Sequence, residues 1–189
     1  MTLLLFTPRL SLRQFTEADA QLIYDLDRDP DVTRFAGKVH DTVEEYRLKI
    51  VNQIVPYYAR TPARGFFVAD DRETGDFIGW FLLRPSTDYR YAAAVGWTKP
   101  EEIEIGYRFR KRFWGRGLAT EGGKALVELA FDDPTATAVV ACALVENRAS
   151  TRVMEKLGMT EWGRCVLPDG YGPAVTYRME ADQSSKLKK

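Results

Sequence analysis

The chain has 189 residues, among them 27 lysines and arginines and 27 aspartates and glutamates, so its net charge at pH 7 is zero. A domain that binds nucleic acid over a broad surface is basic, and this balance argues against a general nucleic-acid binder. The length suits one domain with a buried core. We expect that domain to span residues 1–183, followed by a polar, disordered tail over residues 184–189.

Cysteine and histidine usage limits the chemistry of the chain. Cys142 and Cys165 lack metal-ligand spacing and make a poor disulfide framework for this length. A reducing, intracellular setting is therefore favoured. The single histidine, His40, lies beside Asp41 in a polar turn, so neither a catalytic triad nor a metal site is expected. Residues 3–6 are too short for a signal or membrane segment. These features predict a cytoplasmic protein without a metal or a membrane partner.

A strand and a helix are predicted at the start of the chain. A first strand is predicted over residues 3–15, because apolar and polar side chains alternate from Arg9 onward and Pro8 favours a strand edge or a strand start. Thr16, followed three residues later by Asp19, is a helix N-cap signature. The helix that follows ends before Pro30, and an irregular link occupies residues 31–38.

A second helix and a hairpin are predicted next. The helix opens at residues 41–45, carries a broad apolar face, and is limited by Pro56. Residues 65–70 and 77–83 are apolar runs that predict a hairpin, whose turn takes a positive φ angle from Gly75. The second run is nearly all apolar, so we expect it to form a central strand covered on both faces.

The second half of the chain predicts a parallel βαβ unit. Residues 86–100 show no periodic pattern and predict a long loop. Strands are predicted over residues 103–109 and 136–145, and the helix that begins at Leu118 separates them. A helical crossover between two strands favours parallel pairing.

A short helix and two further strands complete the predicted fold. Asn147 is the N-cap of the helix, and Gly158 is its C-terminal stop. Residues 159–167 and 174–181 fit the two strands. No internal repeat or domain linker is evident.

A basic loop with two glycines connects the strand over residues 103–109 to the helix from Leu118. Glycine lets the backbone approach a ligand closely. The first amides of a helix lack partners inside it and lie at the positive end of its dipole, so the pattern predicts an anion site. From the local pattern alone, a tight turn that binds nothing is the alternative. The basic residues of the loop are Arg110, Lys111, Arg112 and Arg116.

Two motifs resemble the GNAT superfamily of N-acetyltransferases. The segment Trp-Gly-Arg-Gly-Leu-Ala at residues 114–119 is similar to its acetyl-CoA loop. Trp114 departs from the general pattern but matches the branch that includes the ribosomal-protein alanine N-acetyltransferases, which the chain resembles most closely. Residues 147–158 resemble the segment that follows the fifth strand of the family. The motifs occur in the family's order, and the resemblance covers most of the chain.

The resemblance implies a GNAT-like α/β (α+β) fold. We expect a mixed, mostly antiparallel central sheet of about six to seven strands, flanked by about four helices. The fourth and fifth strands of that sheet would be a parallel pair that splays apart.

The resemblance also implies where acetyl-CoA binds. The cofactor would thread between the splayed strands, with its pantetheine arm along the backbone of Tyr107, Arg108 and Phe109. Asn147 would contact the cofactor across the cleft, or act as a helix cap. Arg112, with its basic neighbours, would meet the ribose phosphate or stay solvated. The amides expected to hold the pyrophosphate belong to Gly115, Arg116, Gly117, Leu118, Ala119 and Thr120.

Direct acetyl transfer needs a base, an oxyanion donor and an acid. Glu104 is the predicted base, with Glu102 as its substitute, and the alternative is a solvated carboxylate. An amide of residues 107–109 would hold the oxyanion. Many family members use a tyrosine as the acid, but Met154 occupies that position here. Ser150 is therefore the predicted acid, and helix capping is its alternative.

The acceptor is implied only as a primary amine, either a protein N-terminus or a small molecule. An α-amine has a pKa of about 8, against about 10.4 for lysine. A larger fraction of an α-amine is therefore already neutral near pH 7, and a weaker base suffices. The aromatic residues that would line the acceptor site, or simply pack beneath loops, are Phe35, Tyr57, Tyr58, Tyr89, Tyr91 and Trp97.

Three rival functions stay open at this point. An aminoglycoside acetyltransferase would need an acidic cleft, for which Asp25, Asp27, Asp29 and Asp31 are available. A non-enzymatic acyl-CoA-binding domain would explain the missing tyrosine. A dinucleotide-binding domain is weakly supported, because no Gly-x-Gly-x-x-Gly with a following ribose acid occurs. A homodimer is left open.

Overall fold

The computed structural model describes residues 4–36, 39–61 and 63–186 of the chain. Within them, eight strands form one sheet in the order β1-β2-β3-β4-β5-β6-β8-β7. The strands are β1 (Leu4–Phe6), β2 (Leu10–Gln14), β3 (Gly65–Asp71), β4 (Phe77–Pro85), β5 (Glu102–Phe109), β6 (Ala138–Leu144), β7 (Thr160–Leu167) and β8 (Gly172–Glu180). The helices are α1 (Ala20–Asp27), α2 (Pro30–Thr33), α3 (Val43–Lys49), α4 (Val55–Arg60), α5 (Leu118–Phe131) and α6 (Arg148–Lys156).

The predicted fold class is confirmed: the sheet is mixed, mostly antiparallel, and contains one parallel pair, β5 with β6, in the part of the chain described. The pair expected at the fourth and fifth strands is β5 and β6 here, because the first predicted strand is in fact two. Its register joins Glu102 to Ala138 and Glu104 to Val140. The splay of its remaining length stays a prediction.

The chain folds as two compact units. The first contains Met1–Leu82 and Tyr107–Gly122, and the second contains Leu83–Gly106 and Gly123–Lys189. The expectation of a single domain over residues 1–183 stays a prediction. The 3-10 helix Ala181–Lys186 reaches into the predicted tail at residues 184–186, whereas residues 187–189, like 37–38 of the predicted link, lie outside the described residues.

In the first unit, the single strand predicted over residues 3–15 is wrong. The segment is an antiparallel hairpin in which Leu5 of β1 lies opposite Leu12 of β2. Pro8 lies in the turn, where its missing amide and fixed φ angle interrupt a continuous strand. The turn closes through the Thr7 amide, which donates to the Leu10 carbonyl at 2.9 Å.

The helices of the first unit begin at the predicted caps but one runs further than expected. Thr16 and Asp19 form a capping box. Pro56 does not end the second helix: α3 continues through a π-helical segment, Ile50–Ile54, into α4. Pro56 lies in the first turn of α4, where a missing amide costs little. The continuation buries Tyr58 in the core of this unit.

The second unit is built on β6, whose residues are mostly buried. β8 pairs antiparallel with β6 and with β7, so Cys142 lies opposite Thr176. The loop predicted at 86–100 begins with a 3-10 helix, Ser86–Asp88, and its Trp97 belongs to the same buried cluster as Val140. Among the residues described, no helix has the length and apolar content needed to cross a bilayer.

Candidate active site

The candidate anion loop lies in the first unit and leaves the end of β5. The Arg110 amide donates to the Ile78 carbonyl at 2.8 Å, which continues the attachment of the chain to β4. The Phe113 side chain then anchors a short 3-10 turn, because it is 5% exposed. The Trp114 indole donates to the Phe109 carbonyl at 2.8 Å and folds the loop back onto the strand.

Two glycines shape the loop as the sequence predicts. Gly115 and Gly117 have φ angles of +72° and +78°, which other residues rarely adopt. A Cβ atom built at Gly115 would meet no atom within 4 Å, so space beside the backbone is open. Helix α5 begins at Leu118, and the Glu121 amide is the one that donates back to the Gly117 carbonyl, at 3.0 Å. The amides before Glu121 have no acceptor inside the helix. These residues fit a bound diphosphate.

The basic side chains of the loop surround it with positive charge while contacting nearby groups. Lys111 pairs with Asp31, and Arg112 pairs with Asp76 at 3.3 Å. The guanidinium groups of Arg112 and Arg116 lie 4.8 and 5.5 Å from the centre of the Phe113 ring. Surface pairs such as these are weak, so the side chains stay available to an incoming phosphate.

The Arg108 side chain has a role that the sequence did not indicate. Its guanidinium donates to Asp27 at 2.6 Å and lies 5.2 Å from the centre of the Trp80 ring. The Tyr46 hydroxyl donates to the other oxygen of Asp27 at 2.7 Å. Burial, followed by this hydrogen bond, raises the pKa of Tyr46 well above its ordinary value. The network attaches α1 and α3 to the strand that was predicted to hold the pantetheine arm.

An open cleft of about 550 Å³ borders the loop within the first unit. Acidic and basic side chains line it together, among them Asp25, Asp29 and Lys111. Of the four aspartates predicted to form an acidic cleft, Asp27 is neutralised by Arg108 and Asp31 by Lys111. Asp25 and Asp29 are the two acidic residues that line the cleft itself, where they share the lining with Arg110, Lys111 and Arg112.

The predicted base lies in the second unit as a buried ion pair. Glu104 is 8% exposed, and its carboxylate accepts a hydrogen bond from Arg84 Nε at 2.6 Å. Burial raises the pKa of the Glu104 carboxyl above its ordinary value, although Arg84 favours the charged form. The substitute, Glu102, pairs with Arg178 at 2.7 Å. Glu104 is therefore not a solvated carboxylate.

Aromatic and sulfur groups surround this pair. The Arg84 guanidinium lies 6.0 Å from the centre of the Tyr89 ring, and burial raises the pKa of the Cys142 thiol to about 12. Trp97 is 1% exposed, and its indole nitrogen is the one buried side-chain polar atom without a partner among the described residues. Trp97 and Tyr58, both proposed as acceptor contacts or packing residues, are core residues.

The predicted acid and the cap lie together at the start of α6. The Asn147 side chain accepts a hydrogen bond from the Ser150 amide at 3.2 Å, so the capping alternative for Asn147 is correct. Contact of Asn147 with the cofactor stays a prediction. Met154 is 2% exposed and packs into the core. Ser150 is partly buried and carries a hydroxyl on the same helix.

Sequence reasoning missed Arg84, Arg108 as a side chain, and Arg9, which contacts the loop as described below. A signal was available for Arg84, since it is a lone charge at the end of the apolar run 77–83. Such a charge at the end of a buried strand needs a partner. Nothing in the spacing identified Glu104 as that partner.

Comparison with known proteins gives one family and several relatives. A sequence model described as the acetyltransferase (GNAT) domain matches residues 9–160. The FsC-acetyl coenzyme A-N(2)-transacetylase of Aspergillus fumigatus is 26% identical over 82% of this chain, and the match spans only 64% of the fungal protein. The aminoglycoside N(6')-acetyltransferase type 1 of Klebsiella pneumoniae is 28% identical over 93% of this chain and 84% of its own length.

Two solved structures share the fold. Aminoglycoside acetyltransferase AAC(6')-Ib in complex with coenzyme A and kanamycin matches with a TM-score of 0.74 and 23% identity, covering 95% of this chain and 99% of that one. The ribosomal-protein-S5-alanine acetyltransferase of Vibrio fischeri matches with a TM-score of 0.75 and 14% identity, covering 95% and 97%. At these identities the likeness is one of fold.

Proposed function

We propose that this chain, which belongs to the acetyltransferase (GNAT) family, moves the acetyl group of acetyl-CoA directly to a primary amine. The observation that carries the proposal is the glycine loop. Gly115 and Gly117 turn the backbone into the left-handed region, with open space beside Gly115, directly before the N-terminus of α5. Such an arrangement favours a phosphate group.

The loop would hold the pyrophosphate of acetyl-CoA through the amides of residues 115–120. The name of the fungal relative includes acetyl coenzyme A, and the AAC(6')-Ib structure contains coenzyme A. Both support this donor. Acetyl-CoA supplies a thioester, and the amine nitrogen attacks its carbonyl carbon. The backbone of Tyr107, Arg108 and Phe109 would pair with the pantetheine arm.

Glu104 would take the proton that the acceptor amine loses. A general base works best when its pKa lies near the operating pH. Burial raises the pKa of Glu104 in that direction, while the 2.6 Å pair with Arg84 favours the charged form, which is the form that accepts a proton. Because an α-amine has a pKa of about 8, a useful fraction is neutral near pH 7, and a weak base suffices.

The remaining steps need a hydrogen-bond donor for the carbonyl oxygen and a proton for the departing sulfur. A backbone amide near Tyr107 would stabilise the oxygen as negative charge develops. The Ser150 hydroxyl would donate a proton to the thiolate and regain one from water, as Glu104 releases the proton of the amine. The nitrogen–carbon bond forms as the carbon–sulfur bond breaks, and the products are an amide and a free thiol.

The acceptor is proposed as a small-molecule amine or a protein N-terminus. An aminoglycoside is the second candidate, because a relative that covers most of the chain carries that activity in its name. Asp25 and Asp29 line the cleft of the first unit, but Arg110, Lys111 and Arg112 line it too, so the charge of this cleft does not favour a polycationic acceptor. A cytoplasmic location and a homodimer remain predictions.

Free-thiol release from acetyl-CoA tests the proposal against a panel of amines. The panel contains peptides that begin with Ser or Ala, polyamines, aminoglycosides and free amino acids. Turnover confined to one class identifies the acceptor. We expect Glu104→Gln to lower kcat by about 10²–10⁴-fold while acetyl-CoA affinity is kept. Glu161→Gln, at an exposed carboxylate of the same unit, is the matched control. Absence of acetyl-CoA binding by the wild-type protein would contradict the proposal.

A further inference from the structure

We propose that Arg9 and Glu121 form a brace that sets the position of the glycine loop, which makes Arg9 a positioning residue for the pyrophosphate of acetyl-CoA. The inference rests on the proposed function. Arg9 lies 112 residues before Glu121, in the turn between β1 and β2, and all the contacts that follow lie within the first unit.

Glu121 is the centre of the brace. It lies in the first turn of α5, and its carboxylate accepts three hydrogen bonds. The Thr7 hydroxyl and the Arg9 amide donate to one oxygen, at 2.6 and 2.8 Å. Arg9 Nε donates to the other oxygen at 2.6 Å. With three donors on two oxygens, the carboxylate fixes the start of the helix against the hairpin turn.

Arg9 also contacts the loop directly. Its Nη1 donates to the Arg116 carbonyl at 2.9 Å. Its Nη2 would lie 3.6 Å from a Cβ atom built at Gly117. One planar guanidinium therefore joins the residue between the two glycines to the first turn of the helix. Since a carbonyl and the amide that follows it share a peptide plane, holding the Arg116 carbonyl also orients the Gly117 amide.

The turn that carries Arg9 is itself well held. The Leu10 amide donates to the Thr7 hydroxyl at 3.0 Å. Arg72, from the turn between β3 and β4, donates to the Thr7 carbonyl at 2.6 Å. Because the turn belongs to two paired strands, the brace transmits the geometry of the sheet to the loop.

If Arg9 and Glu121 acted on the bound diphosphate only through their charges, their substitution would change acetyl-CoA binding differently from loss of the brace. A carboxylate in the first helical turn stabilises the helix but repels a diphosphate bound at the same end. Burial alone would raise the pKa of Glu121, but hydrogen bonds from Thr7 and Arg9 outweigh it and lower the pKa below its ordinary value, so the group is ionised. If only charge mattered, Glu121→Gln would tighten acetyl-CoA binding and Arg9→Met would weaken it.

The test compares acetyl-CoA with S-acetyl-pantetheine, which lacks the pyrophosphate. We expect Arg9→Met and Glu121→Gln each to weaken acetyl-CoA binding by about tenfold, equivalent to about 1.4 kcal/mol. The double variant should be about as weak as either single variant, because each removes the same brace. Affinity for S-acetyl-pantetheine should not change. Arg9→Lys should recover little of the acetyl-CoA affinity that Arg9→Met loses. The lysine ammonium lacks the planar fork with which the guanidinium donates to Glu121 and to the Arg116 carbonyl at the same time.

Arg47→Met is the matched control, because Arg47 pairs on the surface of the same unit with Glu44 and Glu17. It should leave both affinities unchanged, and thermal unfolding of every variant checks folding. Tighter acetyl-CoA binding by Glu121→Gln, or unchanged binding by both single variants, overturns the brace. If the wild-type protein binds acetyl-CoA no better than S-acetyl-pantetheine, the proposed pyrophosphate site is refuted. The brace, which positions that site, is then refuted as well.

Discussion

Replacing Arg84 by methionine should convert Glu104 into an unpaired buried acid. The ion pair has a 2.6 Å contact, and the two side chains are 19% and 10% exposed. Two unit charges about 4 Å apart attract by about 4 kcal/mol at an effective dielectric constant of about 20. Breaking such a pair from one side costs about 3–5 kcal/mol, because the remaining charge stays buried. We therefore expect Arg84→Met to lower the free energy of unfolding by about 3–5 kcal/mol at pH 8.

The loss should depend on pH with a definite sign. The pKa of Glu104 is already raised by burial, so the folded protein holds this proton more tightly than the unfolded chain does. Stability from this group therefore falls as the pH rises from the ordinary glutamate value, about 4.3, through the raised value. Removing Arg84 extends that window upward. Arg84→Met should thus be close to the wild-type protein near pH 4 and fall below it as the pH rises.

Urea unfolding between pH 4 and pH 8 measures this effect. The double variant Arg84→Met/Glu104→Gln should regain most of the stability at pH 8, because no buried charge remains. In activity assays, the acidic limb of kcat/KM should move to higher pH in Arg84→Met. Arg90→Met is the control: Arg90 pairs with Asp169 at 2.9 Å with both side chains 58% exposed, so about 0–1 kcal/mol is expected. An equal loss at pH 4 and pH 8, without rescue by Glu104→Gln, would refute the reasoning.

Three further predictions concern the loop, the proposed acid and the Asp27 network. Gly115→Ala and Gly75→Ala should each cost about 1–2 kcal/mol in stability, because both glycines have similar positive φ angles, +72° and +74°. Calorimetry should show weaker acetyl-CoA binding for the Gly115 variant alone, and equal affinities would contradict the proposed pyrophosphate site at the glycine loop. Ser150→Ala should lower kcat by about 10²-fold with the KM for acetyl-CoA unchanged, whereas an unchanged kcat would leave Ser150 with only a structural role. Tyr46→Phe removes one of the hydrogen bonds to buried Asp27 and should lower the unfolding free energy by about 1–3 kcal/mol in denaturant titration, and a loss near zero would show that water replaces the hydroxyl.

Local patterns predicted most of the elements that form the site. The alternation over residues 103–109 and the helical spacing from Leu118 placed β5 and α5, and the glycines between them placed the loop. The cap at Asn147 follows from its own side chain. These features depend on contacts between residues a few positions apart, so local composition and hydrophobic periodicity are enough to predict them.

Two local predictions were wrong for local reasons. The pattern predicts one strand over residues 3–15 where the structure has a hairpin, because Pro8 is compatible with a strand edge or start as well as with a turn. The helical pattern predicts an end at Pro56, but a π-helical segment lets the helix continue past that residue. In both cases, whether the proline ends or interrupts an element depends on the hydrogen bonds that neighbouring residues make.

The sequence by itself determined the order of the elements, the glycine loop and the family to which the motifs point. Only the tertiary structure decided which charged side chains meet: Arg84 with Glu104, Arg108 with Asp27, and Arg9 with Glu121. The partners are separated by 20, 81 and 112 residues. Their pairing depends on strand register and on how turns approach helix ends. A one-residue shift of register would turn each of the strand side chains to the other face of the sheet. Local residue spacing does not predict which register forms.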